Sequence, residues 1–386
     1  MIFTEEQRAF QEGARRFATE QIAPGYMQRE QTGKIDRDLV REMGALGLIG
    51  VDLPERFGGL GAPSVTAGIV IEAIGYADLN VAYVQLLASL NGQIIARHAP
   101  TALAAAWLPR IVSGEALSAL ALTEPRGGSD AANLILSARR DGNDYVLNGE
   151  KSSITMADQA DVAVVFGRTG APDSGARGIS AFLVPMDSPG VSTSRFNDLG
   201  SKAIGRGSIF FDDVLVSADN LLAAEGMGFV QIMQGFDYSR ALIGLQCCAS
   251  AQASLDESWA YVTERPAFGA PLAQYQGVSF PLAEGEGMIA AVRQLCYHTL
   301  GLRDAAEPHT AEAAICKWLG PKTAVDVIHQ CLLTHGHYGW SMDLPHQQRL
   351  RDVMGLEIGD GTAQIMKLIV AREKAGRIAV QHLNRS

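Results

Sequence analysis

The chain has 386 residues, 47% of them hydrophobic and 19% charged, values that exclude a disordered chain. Against 32 basic residues stand 42 acidic ones, and the net charge of −10 argues against a nucleic-acid binder with a basic face, though not against a local basic pocket for a phosphorylated ligand. At ~150 residues per domain the length predicts two or three domains.

The texture changes twice along the chain. Residues 1–118 read as helical. Thr4-Glu5-Glu6-Gln7 has the form of a capping box, a hydroxyl followed three residues later by a glutamine. The breakers Asp52-Leu53-Pro54 and Phe57-Gly58-Gly59-Leu60-Gly61 mark a loop, and helical periodicity resumes after Pro63. Residues 119–225 change period. Val162–Phe166, Ile179–Val184 and Ile209–Phe211 are short apolar runs bounded by Gly or Pro, and Asp141-Gly142-Asn143 before Tyr145-Val146-Leu147 is a hairpin signal. A compact β domain is predicted there. Residues 226–386 return to helix. Leu242, Leu245, Ala249 and Ala253, then Leu255, Trp259 and Val262, predict one helix from about Gly228 to Glu264. Helix, sheet, helix argues for a composite α+β multidomain architecture instead of a doubly wound sheet.

Several short patterns carry little. Gly285-Glu286-Gly287-Met288-Ile289-Ala290 has dinucleotide-type spacing, but Phe280-Pro281-Leu282 is a poor preceding strand. His335-Gly336-His337 suits a metal, yet no third ligand is evident beside it, so no metal site is predicted. No GxSxG nucleophile occurs. Cys247, Cys248, Cys296, Cys316 and Cys331 are odd in number and show no CxxC spacing, so buried free thiols in a reducing compartment are expected. The acidic opening Met1–Glu6 does not read as a signal peptide, and no run approaches the ~18 apolar residues of a membrane helix. A soluble cytoplasmic protein is the expectation.

The informative stretch is Ala121-Leu122-Thr123-Glu124-Pro125-Arg126-Gly127-Gly128-Ser129-Asp130. Two hydroxyls, a proline turn and two glycines offer side-chain and backbone donors that could wrap a phosphate or a heteroaromatic edge. Together with four further segments it resembles the acyl-CoA dehydrogenase family of flavoproteins. Those segments are Asn148-Gly149-Glu150-Lys151 through Ile154-Thr155; Phe211-Asp212-Asp213-Val214 with Asn220-Leu221-Leu222 and Gly226–Phe229; Arg265-Pro266-Ala267-Phe268-Gly269 with Gln276; and Gly359-Asp360-Gly361-Thr362-Ala363-Gln364-Ile365 with Ala371-Arg372-Glu373. They occur in the family's order and cover almost the whole chain.

The resemblance implies an N-terminal α-helical domain (1–118), a middle β-barrel-like domain (119–225) and a C-terminal four-helix bundle (226–386), in a homotetramer. It implies FAD between the β domain and the bundle. Thr123 would meet the pyrimidine side of the flavin, Ser129 its phosphate region and Thr155 the N5 edge. Arg265, flanked by Phe268 and Gly269, would reach the pyrophosphate of a neighbouring subunit's FAD. Thr362 and Gln364 would contact FAD from the C-terminal segment. The implied reaction is α,β-dehydrogenation of an acyl thioester on CoA or an acyl carrier protein, with electrons passing to an electron-transferring flavoprotein. A base takes the α proton while a hydride leaves the β carbon for flavin N5, and hydrogen bonds to the thioester oxygen come from a ribityl hydroxyl and the backbone N–H at the base.

Asp360 stands where the family base is usually Glu, and Arg240 matches an arginine kept near thioester and base. The alternative base position, one residue before that arginine, holds Ser239. Other departures are Ser153 at a frequent tryptophan position, and Leu333 and His337 where a glutamine and a glycine are common. Together they suggest a branch acting on an alicyclic, branched or carrier-bound acyl group. A flavin oxidase of the same fold, nitroalkane oxidase-like or acyl-CoA oxidase-like, and a non-catalytic flavoprotein are the alternatives. A role in binding DNA, as in some relatives, is disfavoured by the negative charge, and no membrane partner is expected.

Overall fold

The computed structural model describes residues 2–379; Met1 and the last seven residues of the expected C-terminal domain, 380–386, lie outside them. The N-terminal part holds α1 (Glu5–Phe17), α2 (Tyr26–Thr32), α3 (Arg37–Ala45), α4 (Ser64–Ala77), α5 (Leu79–His98) and α6 (Thr101–Val112). Thr4 caps α1 as its pattern predicts: its hydroxyl accepts from Gln7 N–H and its own N–H donates to the Gln7 side chain, 3.1 Å each. Helices α4 and α5 are buried on nearly every side. A helix apolar all round belongs inside a core, and both pack on the C-terminal helices.

The middle part is a curled seven-stranded sheet. Its strands are β1 (Ser118–Ala121), β2 (Ser137–Asp141), β3 (Asp144–Thr155), β4 (Val162–Arg168), β5 (Ile179–Pro185), β6 (Val191–Arg195) and β7 (Arg206–Ser217). The order is β1-β4-β2-β3-β7-β6, with β5 on β4. The Asp141–Asn143 signal is the β2–β3 hairpin, with Gly142 at φ 62°. The unbroken apolar run in β4 reflects burial on both faces. Val162, Val164 and Phe166 point into the core shared with the helices, whereas Ala163 and Val165 point into the sheet's own core with Tyr145, Leu147 and Phe182.

The C-terminal part holds α7 (Gly228–Glu264), a two-residue hairpin of β8 (Pro266–Ala267) and β9 (Ala270–Pro271), α8 (Gln276–Asp304), α9 (Thr310–Thr334), α10 (His346–Met354) and α11 (Ala363–Ala375). The expected long helix is α7, 37 residues and about 55 Å. Helices α7, α8, α9 and α11 pack as the bundle, with α9 against the other three. Where α7 and α9 cross, a Cβ on Gly320 would lie 2.6 Å from the Gly244 Cα, so only glycine permits the approach.

The glycine-rich 285–290 segment lies within α8, with Gly285 packed near Leu255 and Val327, so the strand–turn–helix setting of a dinucleotide loop is absent there. All five cysteines are free and buried. Among the described residues no cluster of three or more His, Cys, Asp or Glu could hold a metal, and no helix is long and apolar enough to cross a membrane.

Candidate active site

Asp360 sits in the turn between the short helix Gly355–Glu357 and α11. Its backbone is left-handed at φ 54°, and Gly361 follows at φ 102°. A side chain at Gly361 would meet the Met366 methyl 2.4 Å away, so the turn is closely packed. Thr362 ends the turn as the N-cap of α11, its hydroxyl accepting from Ile365 N–H at 3.4 Å. Asp360 is half-buried. Burial pushes its carboxyl above the ordinary range, and the cations Lys317 and Arg240 pull it back. A carboxylate moved toward neutrality by its surroundings has the profile of a general base.

Arg240, thirteenth of the 37 residues of α7, is only 5% exposed, and its charge acts on Asp360 through space. Its Nη1 donates to Asp237 Oδ1 at 3.1 Å, and Asp237 Oδ2 accepts from the Thr310 hydroxyl at 2.6 Å. Its Nε is buried without a hydrogen-bond partner among the described residues. An orphaned, charged donor is costly unless a ligand oxygen or water meets it. Lys317, on α9, is 1% exposed and donates to the Gly361 carbonyl. Burial lowers its ammonium pKa to about 8, against the pull of Asp360. Tyr83 of α5 is half-buried and feels both Asp360 and Arg206. Arg206 is the ladder partner of Thr155 at the end of β3.

Two other predicted segments meet in the sheet. Ser152 N–H donates to Thr123 O at 2.8 Å. Lys151, wholly buried, donates to Leu122 O at 3.0 Å and to Glu124 Oε1 at 2.9 Å. Glu124 also accepts from Ile135 and Leu136 N–H, both at 2.8 Å. One buried ion pair therefore clamps both ends of the 122–136 segment. Although burial opposes ionisation of Glu124, Lys151 and the amides win and hold its pKa low; burial brings Lys151 down to about 8. The pair is ionised at neutral pH.

Between the clamps, residues 125–130 are exposed, and Gly127 has φ 133° with nothing within 4 Å of where a Cβ would stand. That open cradle, the hydroxyls of Thr123, Ser129 and Thr155, and the loop's backbone fit a group that pairs a phosphate with a heteroaromatic ring. Ser153, at φ 62°, lies in the bulge where the β3–β7 register shifts between Lys151 and Ile154.

The structure does not bring Arg265 and Phe268 to Asp360 within one chain. Arg265 is the C-cap of α7, 25 residues beyond Arg240 and so about 37 Å along the helix. It is exposed, 6.0 Å from the Tyr338 ring centroid. Phe268 is 98% exposed, and Leu333, Trp340 and Met342 are exposed as well. Gln364 lies exposed in the first turn of α11. Lys317 and the Asp237–Thr310 pair escaped sequence reasoning, and Lys151 entered it only within the Asn148–Thr155 segment, with no role of its own; the signal available for Lys317 was a single lysine within the apolar stretch Ala313–Leu319.

Comparison with known proteins identifies the family of the three parts. The N-terminal, middle and C-terminal acyl-CoA dehydrogenase domains match residues 4–115, 119–214 and 226–375. The chain is 34% identical over 373 residues to the probable acyl-CoA dehydrogenase YngJ of Bacillus subtilis (strain 168), covering 96% of this chain and 98% of that one. It is also similar to the solved structure of butyryl-CoA dehydrogenase from Megasphaera elsdenii, with a TM-score of 0.93, 29% identity and coverage of 97% and 99%. A glutaryl-CoA dehydrogenase from Mycobacterium smegmatis in complex with FADH2 aligns with a TM-score of 0.91, 26% identity and coverage of 97% and 96%. The chain belongs to the acyl-CoA dehydrogenase family, whose members are oxidoreductases acting on CH–CH bonds.

Proposed function

We propose that this chain is an FAD-dependent enzyme that desaturates an acyl thioester, on CoA or a carrier protein, at the α,β bond, with Asp360 as the base. The observation that supports this most directly is the carboxylate of Asp360, held in a left-handed turn with Arg240 and Lys317 as its neighbouring cations. FAD, when bound, would supply the acceptor for the hydride of the β carbon. Asp360 takes the α proton, and its backbone N–H donates to the thioester oxygen, where negative charge develops. Arg240 faces the same charge, and its unpaired Nε gives it a donor to spare.

The hydroxyls of Thr123, Ser129 and Thr155, with Thr362 and Gln364, would hold the cofactor. Arg265 and Phe268, too far along α7 to serve their own chain's site, would complete a neighbouring subunit's site in a homotetramer. The exposed Phe268, Trp340 and Met342 support a covered end of the bundle. The electron acceptor would be an electron-transferring flavoprotein and the compartment the cytoplasm. Asp is one methylene shorter than Glu, which favours a compact alicyclic or branched acyl group seated nearer the base.

Anaerobic titration of the yellow holoenzyme with straight-chain, branched and alicyclic acyl-CoAs tests this reading. Bleaching of the flavin band by a thioester, lost in Asp360→Asn with FAD retained, is the expected outcome. Normal bleaching by that variant removes Asp360 from the role, and efficient turnover of straight-chain substrates removes the compact acyl group. Hydrogen peroxide formed without added acceptor would move the enzyme to the oxidases.

A further inference from the structure

We propose that Lys317 is the positioning residue for the base, holding the Asp360 turn through the Gly361 carbonyl and placing a fixed positive charge beside the carboxylate. This inference rests on the reading of Asp360 as the base.

Three observations carry it. First, a lysine is almost never fully buried without a reason, yet Lys317 is 1% exposed in the first third of α9. Its Nζ donates to the carbonyl of the residue that follows the base. Second, the turn needs an anchor. Asp360 and Gly361 are consecutive residues of positive φ, and a non-glycine residue keeps that strained conformation only where its surroundings impose it. The Thr362 cap and the Lys317 bond to the adjoining Gly361 carbonyl hold the side of the turn after Asp360, while Ile358 and Gly359 N–H donate to Gly355 O on the side before it. Third, the Gly244–Gly320 crossing lets α7 and α9 approach closely, four residues beyond Arg240 and three beyond Lys317. That crossing delivers one cation from each helix to the same carboxylate.

The groups that surround the pair come from every packed element. Arg240 and the Cys247 thiol lie on α7, Tyr83 on α5, and Glu357 on the short helix before the turn; Arg372 of α11 acts on Arg240. Lys317 forms no ion pair of 4 Å or less with Asp360, so its influence runs through the turn's backbone and through space. Burial brings the ammonium to about pKa 8, so it is charged near neutral pH and loses its charge in mild alkali.

The test uses holoenzyme carrying Lys317→Met, Lys317→Gln or Asp360→Asn, reduced anaerobically in a stopped-flow instrument. The substrate is whichever of butyryl-, isobutyryl- or cyclohexanecarbonyl-CoA reduces the wild-type flavin fastest. Lys317→Gln keeps a donor for Gly361 without the charge, and it answers the question should Lys317→Met not fold. The expected result is that either variant retains FAD and binds substrate with unchanged Kd, while the acid limb of the reduction rate moves up by about one pH unit or more. Lys317→Met also loses about 10–100-fold in rate, because the turn is released. An acid limb that stays in place in both variants, at any rate, overturns the assignment. Asp360→Asn separates the two levels: if it reduces normally, the base reading fails and takes this inference with it. If it is inactive while the limb of both Lys317 variants is unmoved, only the inference fails. A readout free of turnover is thermal unfolding of the holoenzyme. A lysine depressed from 10.5 to about 8 adds stability as pH rises between those values, so the Tm of wild type rises relative to that of Lys317→Met over that window, the equal shift of Lys151 being common to both.

Discussion

Gly244 on α7 and Gly320 on α9 touch backbone to backbone, with the site of an added Cβ on Gly320 only 2.6 Å from the Gly244 Cα. The contact sets how far apart Arg240 and Lys317 stand. Gly320→Ala forces the helices apart. Overpacking of this kind costs about 1–3 kcal/mol, offset by up to about 1 kcal/mol of helix propensity. We expect a lower midpoint in urea and a slower flavin reduction than in a Gly→Ala control at the unobstructed Gly287 of α8.

Asp360→Asn should make the protein more stable at neutral pH while abolishing its chemistry. A carboxyl whose folded pKa is raised favours the fold below its unfolded value, and that contribution is lost as pH rises through the folded value. At pH 7 the ionised Asp360 is therefore a burden. The Tm difference between variant and wild type should be positive at pH 7 and shrink toward pH 4. Flavin reduction should fall about 10²–10⁴-fold, the usual contribution of a general base. A lower Tm at pH 7 would contradict this account.

The Lys151–Glu124 pair offers a separate handle on the cofactor loop. Lys151→Met leaves Glu124 buried, charged and without its cation. Loss of one partner of a buried pair costs about 3–5 kcal/mol. We expect that loss in urea unfolding, together with poorer retention of yellow colour on gel filtration, because the 122–136 segment loses its clamp. Adding Glu124→Gln should recover most of the stability, since the stranded charge is then gone.

His346 gives the protein an acid weakness. It is 1% exposed, its ring centroid lies 4.3 Å from that of His335, and its Nδ1 has no partner among the described residues. Burial first, then His335, lowers its pKa to about 4 against the partial support of Glu257. A histidine depressed in the fold contributes stability above pH 6.5 that is lost as pH falls toward 4. The shift is worth about 3 kcal/mol. His346→Val should flatten the stability profile between pH 6.5 and 4, as measured by urea midpoints, relative to wild type.

What the sequence could and could not reveal follows from physical scale. The α7 helix was legible because its apolar positions recur every three or four residues over its whole length, and β4 because burial on both faces leaves an unbroken apolar run. Thr4 and Gln7 announced their helix because a capping box acts within four residues. Lys317, and the burial and pairing of Lys151 with Glu124, were not legible: a lysine reads as a solvated charge until distant elements close over it, and their partners lie 44 and 27 residues away in the chain. Asp360 carried the opposite ambiguity. Asp-Gly also spells an ordinary turn, and the carboxylate became distinctive only when Arg240 and Lys317 converged on it from two other helices.

The five thiols are distributed unevenly: all ride on α7, α8 and α9, all are shut away, and neither the helices before the sheet nor the sheet itself carries any. Alkylation with a maleimide mass tag is consequently blind to events in the 227 residues before α7 and responds only when the bundle itself breathes. The molecule thus comes with its own stopwatch for that single part, readable in a mass spectrum without any engineered label.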